Sequence, residues 1–182
     1  YDWPGELDGN VQAIEALGLA APYGLVNDTM IGLIAGTTQG WGVGVVSGTG
    51  SNCWGRDREG REGRVTGGGG MFAEYAGGGD IVARAVQRIS LAWSLRGPET
   101  RLTDAFIAHV GAKDIMDLLE GLYIHRYYLS ASAAPLVFEI AAAGDSVALD
   151  IIRWAGRELG SMAMGVIRQL HLEALDVEVV QI

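Results

Sequence analysis

The stretch Gly44-Val45-Val46-Ser47-Gly48-Thr49-Gly50-Ser51-Asn52 decides how this chain is read. An apolar run rich in β-branched residues enters a Gly-Thr-Gly-Ser turn. Cys53-Trp54-Gly55-Arg56 then leaves it as a second extended segment. Gly48 and Gly50 lack Cβ atoms, so backbone N–H groups can turn toward a ligand and let it approach closely. A row of such groups forms an anion-binding concavity, and the hydroxyls of Thr49 and Ser51 add donors. The pattern suits a phosphate group, which makes nucleotide chemistry the first hypothesis. The plain alternative is a glycine-rich hairpin with no ligand.

Working outward, residues 41–47, 52–56 and 63–66 predict three antiparallel strands. The second and third are joined by the polar turn Asp57-Arg58-Glu59-Gly60-Arg61. Upstream, Val11, Ile14 and Leu17 recur at helical spacing and predict a helix over 7–19. Residues 23–26 read as a short strand running into Asn27-Asp28, and 29–35 as the helix that follows. Downstream, two glycine clusters, 67–70 and 77–79, bracket Met71-Phe72-Ala73-Glu74-Tyr75-Ala76. Asp80 then reads as the N-cap of a helix reaching about residue 95, with Ile81, Ala85, Ile89 and Ala92 on one stripe. Arg96-Gly97-Pro98 stops it.

Helices are expected over 103–110, capped by Thr103, and over 114–123, 130–143 and 146–170. Gly144-Asp145 breaks the last two, and Asp145 caps the second. Residues 177–182 return to strand. Strand and helix, meander, helices and a final strand give an α/β fold with a mixed sheet rather than a bundle or sandwich.

The 182 residues are 49% hydrophobic and 19% charged, enough for a packed core. A net charge of −9 argues against nucleic acid or an anionic membrane as partner, but a few N–H groups can still hold a phosphate. Cys53 is the single cysteine, so the chain alone builds neither a disulfide nor a cysteine metal site. No signal segment and no run of about 18 apolar residues appears, and a cytoplasmic location is expected. The chain opens on Tyr1-Asp2-Trp3 and closes on strand-like residues, which suggests a piece truncated at both ends.

Three features in order carry a resemblance: Val26-Asn27-Asp28 at a strand end, the Ser47-Gly48-Thr49-Gly50-Ser51-Asn52 string about 20 residues on, and the glycine-rich stretch 67–79 opening a long helix. Ala134-Pro135-Leu136-Val137-Phe138-Glu139 and Ala143-Gly144-Asp145 extend it over roughly the whole chain. The chain resembles the BadF/BadG/BcrA/BcrD ATPase family, in particular its N-acetylglucosamine kinase branch, within the superfamily of sugar kinases, Hsp70 and actin.

The resemblance implies ribonuclease-H-like lobes around an ATP cleft. Residues 1–38 would end the first lobe, and 39–182 would form the second, with a helical insertion at about 97–143. It implies Asp28 as general base toward the attacking sugar hydroxyl, since such a hydroxyl needs a proton acceptor. Gly48, Thr49, Gly50, Ser51 and Asn52 would bind the nucleotide phosphates. Asn27, Asp28, Thr49, Gly68 and Gly69 would line the sugar pocket, and Glu74 is a candidate to replace the family's missing acid as a sugar or metal contact. ATP and Mg²⁺ are the implied cofactors, no dedicated protein metal site is expected, and a homodimer is compatible with the pattern.

Two departures stand out. The family's Gly-Asp-Glu-Gly falls on Glu74-Tyr75-Ala76-Gly77, so Tyr75 replaces the acid that grips the sugar. The family's first phosphate hairpin and its adenosine-site glycines are not in this sequence. A dehydratase-activating ATPase and a degenerate nucleotide- or sugar-binding module are therefore the rival readings.

Each residue also has a plainer role. Asp28 can be a helix cap, Asn27 a turn residue and Glu74 a solvated loop charge. The glycine clusters can be ligand-free loops, and Cys53 a buried strand residue. His109, His125 and His171 show no ligand spacing. Trp93, Trp154, Met162 and Met164 read as core. Gly156 and Gly160 suggest close helix packing around Trp154-Ala155, or less simply an adenine floor.

Overall fold

The computed structural model describes residues 2–19 and 21–182. Among them are seven α-helices and a four-stranded mixed sheet of order β3-β2-β1-β4. The strands are β1 (Gly42–Ser47), β2 (Ser51–Arg56), β3 (Glu62–Arg64) and β4 (Val179–Gln181). β2 and β3 pair antiparallel, with Gly55 opposite Gly63, and β1 and β4 pair parallel, with Gly44 opposite Val180. The link from β1 to its neighbour β2 is three residues, a length that only an antiparallel pair permits. The helices are α1 (Pro4–Glu15), α2 (Asp28–Gly36), α3 (Gly78–Trp93), α4 (Leu102–Val110), α5 (Ile115–Tyr123), α6 (Ala134–Ala142) and α7 (Ser146–Gln169).

Contacts divide the chain into two compact units. The first holds the chain up to Val46, Asn52–Glu74 and Ser161–Ile182; the second holds Ser47–Ser51 and Tyr75–Gly160.

In the first unit, α2 lies close on the sheet because it carries glycine where a side chain would collide. A Cβ on Gly32 would come within 2.2 Å of Ile182, and one on Gly36 within 2.4 Å of Val180. Gly42 has φ +141°, and a Cβ there would stand 2.5 Å from the carbonyl oxygen of Glu178. That carbonyl accepts the Val43 N–H at 3.0 Å, so glycine at 42 lets β4 dock on β1. The Glu178 carboxylate accepts hydrogen bonds from the hydroxyls of Thr37 and Thr38 and the N–H groups of Thr38 and Gln39. These bonds, the Thr37 hydroxyl first, hold its pKa down at about 2. Cys53 is fully buried in β2, as expected, and burial pushes its thiol up to about 12.

In the second unit, Ile81, Val82, Ala85 and Ile89 of α3 pack with Leu102, Phe106, Leu118, Val137 and Ile151 in one core. Asp145 caps α7 as expected, its Oδ1 accepting the Ala148 N–H at 2.9 Å.

Several expectations fail for local reasons. Helix α1 runs from Pro4 to Glu15 rather than over 7–19, and Gly18, at φ +64°, turns the chain away; Leu17, expected within the helix, lies beyond it and is exposed. Residues 23–26 are irregular, since a β-favouring segment needs a partner strand to become one. Thr103 lies inside α4, whose first N–H groups are met by Thr100 and Asp145 instead. Trp93 and Met164 are exposed. A Cβ on Gly156 or Gly160 would meet nothing within 4 Å, so close helix packing does not explain these glycines. No helix among the described residues is long and apolar enough to cross a membrane.

Candidate active site

In the second unit, the turn between β1 and β2 is fastened to the start of α3 from both sides. Ser47 Oγ donates to the Ala76 carbonyl at 2.7 Å and Ser51 Oγ to the Tyr75 carbonyl at 3.0 Å. In return, the N–H groups of Gly78 and Gly79 donate to the carbonyls of Gly48 and Thr49 at 2.8 and 3.1 Å. The Gly77 N–H is taken by Asp80 Oδ2 at 3.0 Å. Asp80 is thus the third residue of α3 reaching back, and Gly77, not Asp80, is the N-cap.

The first N–H groups of α3 therefore serve the turn itself rather than a ligand. The Ser51 hydroxyl, expected as a ligand donor, spends its proton on Tyr75. What remains is specific: among the described residues, no acceptor is bonded to the N–H groups of Thr49 and Gly50 or to the Thr49 hydroxyl, and both residues are exposed. They stand beside a groove of about 450 Å³ whose lining includes Ser47, Gly48, Gly78, Ile81, Phe138 and Glu139.

The glycine requirement also lies elsewhere than expected. Gly48 and Gly50 have ordinary φ values and open space around them. Gly77 is the constrained position, because a Cβ there would come within 2.4 Å of Gly50 Cα. Ala76 is fully buried at φ +97°, a conformation that non-glycine residues rarely hold.

The first unit gathers the polar residues. Asn27 is the N-cap of α2; its Oδ1 accepts the Thr29 N–H at 2.9 Å. Its Nδ2 donates to Asp2 Oδ1 at 3.0 Å, and Asn52 Nδ2 donates to the same oxygen at 2.9 Å. Asn52 Oδ1 accepts the Cys53 N–H at 2.8 Å, so both ends of that amide are engaged here. Asp2 also packs against Gly67, where φ is +75° and a Cβ would meet its carboxyl carbon at 2.5 Å.

Asp28 is the first residue of α2 rather than its cap. It is exposed, with Oδ1 accepting the Thr29 N–H at 2.8 Å. Glu74 is not a solvated charge: it is 5% exposed, and its two oxygens accept the N–H groups of Thr66 and Gly68. The Glu74 N–H donates to the Gly69 carbonyl at 3.1 Å, so the loop holding Gly68 and Gly69 closes on Glu74.

Sequence reasoning missed Asp2, Gly77 and Glu178. An acid far from its partners in the chain gives no local signal. Gly77 was visible only as one of a cluster. Among the described residues no group of three or more His, Cys, Asp or Glu could hold a metal ion.

The chain is similar to sugar kinases. It is 32% identical over 164 residues to the N-acetylmuramic acid/N-acetylglucosamine kinase of Clostridium acetobutylicum, covering 88% of this chain and 53% of that protein. It is 31% identical over 164 residues to the N-acetyl-D-glucosamine kinase of Dictyostelium discoideum, covering 87% of this chain and 51% of that protein. The fold matches the crystal structure of a provisionally named N-acetylglucosamine kinase from Chromobacterium violaceum with a TM-score of 0.68 and 27% identity, over 95% of this chain and 60% of that one. The chain thus spans about half the length of the curated relatives it matches. No protein-family model matches it.

Proposed function

We propose that this chain is part of an ATP-dependent kinase that transfers the γ-phosphate of ATP to a hydroxyl of a sugar or amino sugar. One observation carries the reading: the turn at 47–51 is locked by main-chain and serine bonds, yet it leaves the donors of Thr49 and Gly50 unpaired beside an open groove. Preorganised N–H donors of this kind stabilise phosphoryl oxygens without reorganising during transfer. The similarity to two curated N-acetylglucosamine kinases supports the same assignment.

In this reading, the phosphates lie against Thr49 and Gly50, and the nucleoside runs along the apolar wall of Ile81, Pro135 and Phe138. Asp28 accepts the proton of the attacking hydroxyl; its exposed carboxylate spends only Oδ1 on the α2 backbone. Asn27 positions Asp28 by capping α2, and Glu74 shapes the loop of Gly68 and Gly69 that would face the sugar. Mg²⁺ would arrive on the nucleotide oxygens, where it would neutralise charge on the transferring group. The architecture is read as ribonuclease-H-like, with residues 1–38 closing a first lobe and 39–182 forming the second. The cytoplasm is the proposed location.

The test uses the complete protein, Mg-ATP and a panel of sugars including N-acetylglucosamine and N-acetylmuramic acid. A phosphorylated sugar, and a rise in Tm with Mg-ATP that Thr49→Ala reduces, are expected. No product with any sugar, together with an unmoved Tm, would overturn the reading.

A further inference from the structure

A second cavity, of about 230 Å³, opens in the helical unit between Tyr75, α3 and α7. Its lining is Tyr75, Asp80, Ala83, Arg84, Gln87 and Trp154. Residues 80, 83, 84 and 87 follow helical spacing, so one face of α3 forms a wall. Ala83 is small and leaves the space open.

The Arg84 guanidinium stacks on Trp154, with its carbon 4.2 Å from the ring centroid. Tyr75 meets the same indole, the ring centroids 5.9 Å apart and the planes tilted by 47°. Stacking fixes the guanidinium plane but satisfies none of its N–H groups. Arg84 Nε is buried with no hydrogen-bond partner, and no carboxylate of the described residues forms an ion pair with Arg84. A buried donor without an acceptor is costly, and native proteins rarely leave one.

Arg64 shows why the cavity matters. Its Nη1 is also buried and unpaired, but its guanidinium lies between two indoles, 4.6 Å from the Trp3 ring and 5.1 Å from the Trp54 ring. Arg84 instead borders open space large enough for a small ligand.

We infer that this cavity binds a small carboxylic acid with a planar apolar body, its carboxylate on the Nη end of Arg84 and its body against Tyr75 and Trp154. The Nη edge of a guanidinium pairs two N–H groups with two carboxylate oxygens in one plane. A planar acid meets that edge and the aromatic walls together. Asp80 faces the same space, and its Oδ2 is occupied by the Gly77 N–H. An acid bearing a hydrogen-bond donor would find the other carboxylate oxygen there. The inference is independent of the kinase reading.

The test titrates the protein with benzoate at constant ionic strength, with inorganic phosphate as the second arm. The readouts are tryptophan fluorescence and the ¹⁵N–¹H signal of the Arg84 Nε group. Saturation by about 10 mM benzoate, the weak end for a ligand of this size, and a displaced Nε–H signal are expected. Arg84→Lys, which keeps the charge and loses the planar edge, should weaken benzoate about tenfold. Phosphate should bind at least about tenfold more weakly than benzoate. No saturation, equal binding in Arg84→Lys, or phosphate matching benzoate would overturn the proposal. The Nε–H signal is read on the unsubstituted protein, so a variant that fails to fold leaves the test standing.

Discussion

Asp2 Oδ1 accepts a hydrogen bond from Asn27 Nδ2 across 25 positions of sequence, at 3.0 Å. The same oxygen holds Asn52 Nδ2, so one carboxylate ties the cap of α2 to the start of β2. Asp2→Ala would remove the shared acceptor of two amide donors. It should lower stability by about 1–3 kcal/mol in urea unfolding. Asp2→Asn keeps an acceptor oxygen and should cost less. Equal stability of all three proteins would show that the bonds contribute nothing.

Asn27 and Asp28 are adjacent but do different work, and substitution should separate them. Asn27→Ala removes the N-cap and should cost about 1–2 kcal/mol. Asp28→Asn should change stability by less than about 0.5 kcal/mol while lowering kcat by about 10²-fold or more, as expected for loss of a proton acceptor. A normal kcat in Asp28→Asn would remove Asp28 from the proposed chemistry.

Two glycine-to-alanine changes should have opposite signs. Gly77→Ala would drive a methyl to 2.4 Å from Gly50 Cα, a backbone atom that cannot step aside cheaply. It should destabilise by about 1–3 kcal/mol and weaken any Mg-ATP-dependent rise in Tm. Gly156→Ala, in an exposed turn of α7 with open space around it, should stabilise by up to about 1 kcal/mol. Thermal melts of the two variants decide both signs.

Glu178 should make the β1–β4 junction acid-sensitive. Its pKa is lowered from 4.5 to about 2 by its hydroxyl and N–H donors. A lowered folded-state pKa contributes stability that is fully present above the unfolded value and is lost as pH falls from about 4.5 toward 2. Hydrogen exchange at the Val43 N–H, bonded to the Glu178 carbonyl, should therefore quicken over that window relative to core amides of α3. Glu178→Gln should flatten the added pH dependence. An identical pH profile in that variant would sink the idea.

Much of this structure was legible because its signals are local. The Ser-Gly-Thr-Gly-Ser turn, the stripe of α3 and the Asp145 cap each sit within a few residues of what they specify. The strand predicted at 23–26 failed because a strand depends on a neighbour that its own residues do not encode. Asp80 was misplaced by three residues because Asp serves equally as cap and as third-position acceptor. Glu74 looked like a surface charge because the N–H groups of Thr66 and Gly68 that bury it come from a loop without periodicity. Asp2, Gly77 and Glu178 were invisible for a common reason: each acts on a partner brought near only by the folded chain.

The serine bonds to Ala76 and Tyr75 reach carbonyl oxygens, not side chains. Every residue type offers that oxygen, so these two bonds make no demand on the side chain at 75. Evolution or a protein engineer can rewrite the side chain at 75 while these two anchors of the turn are inherited unchanged.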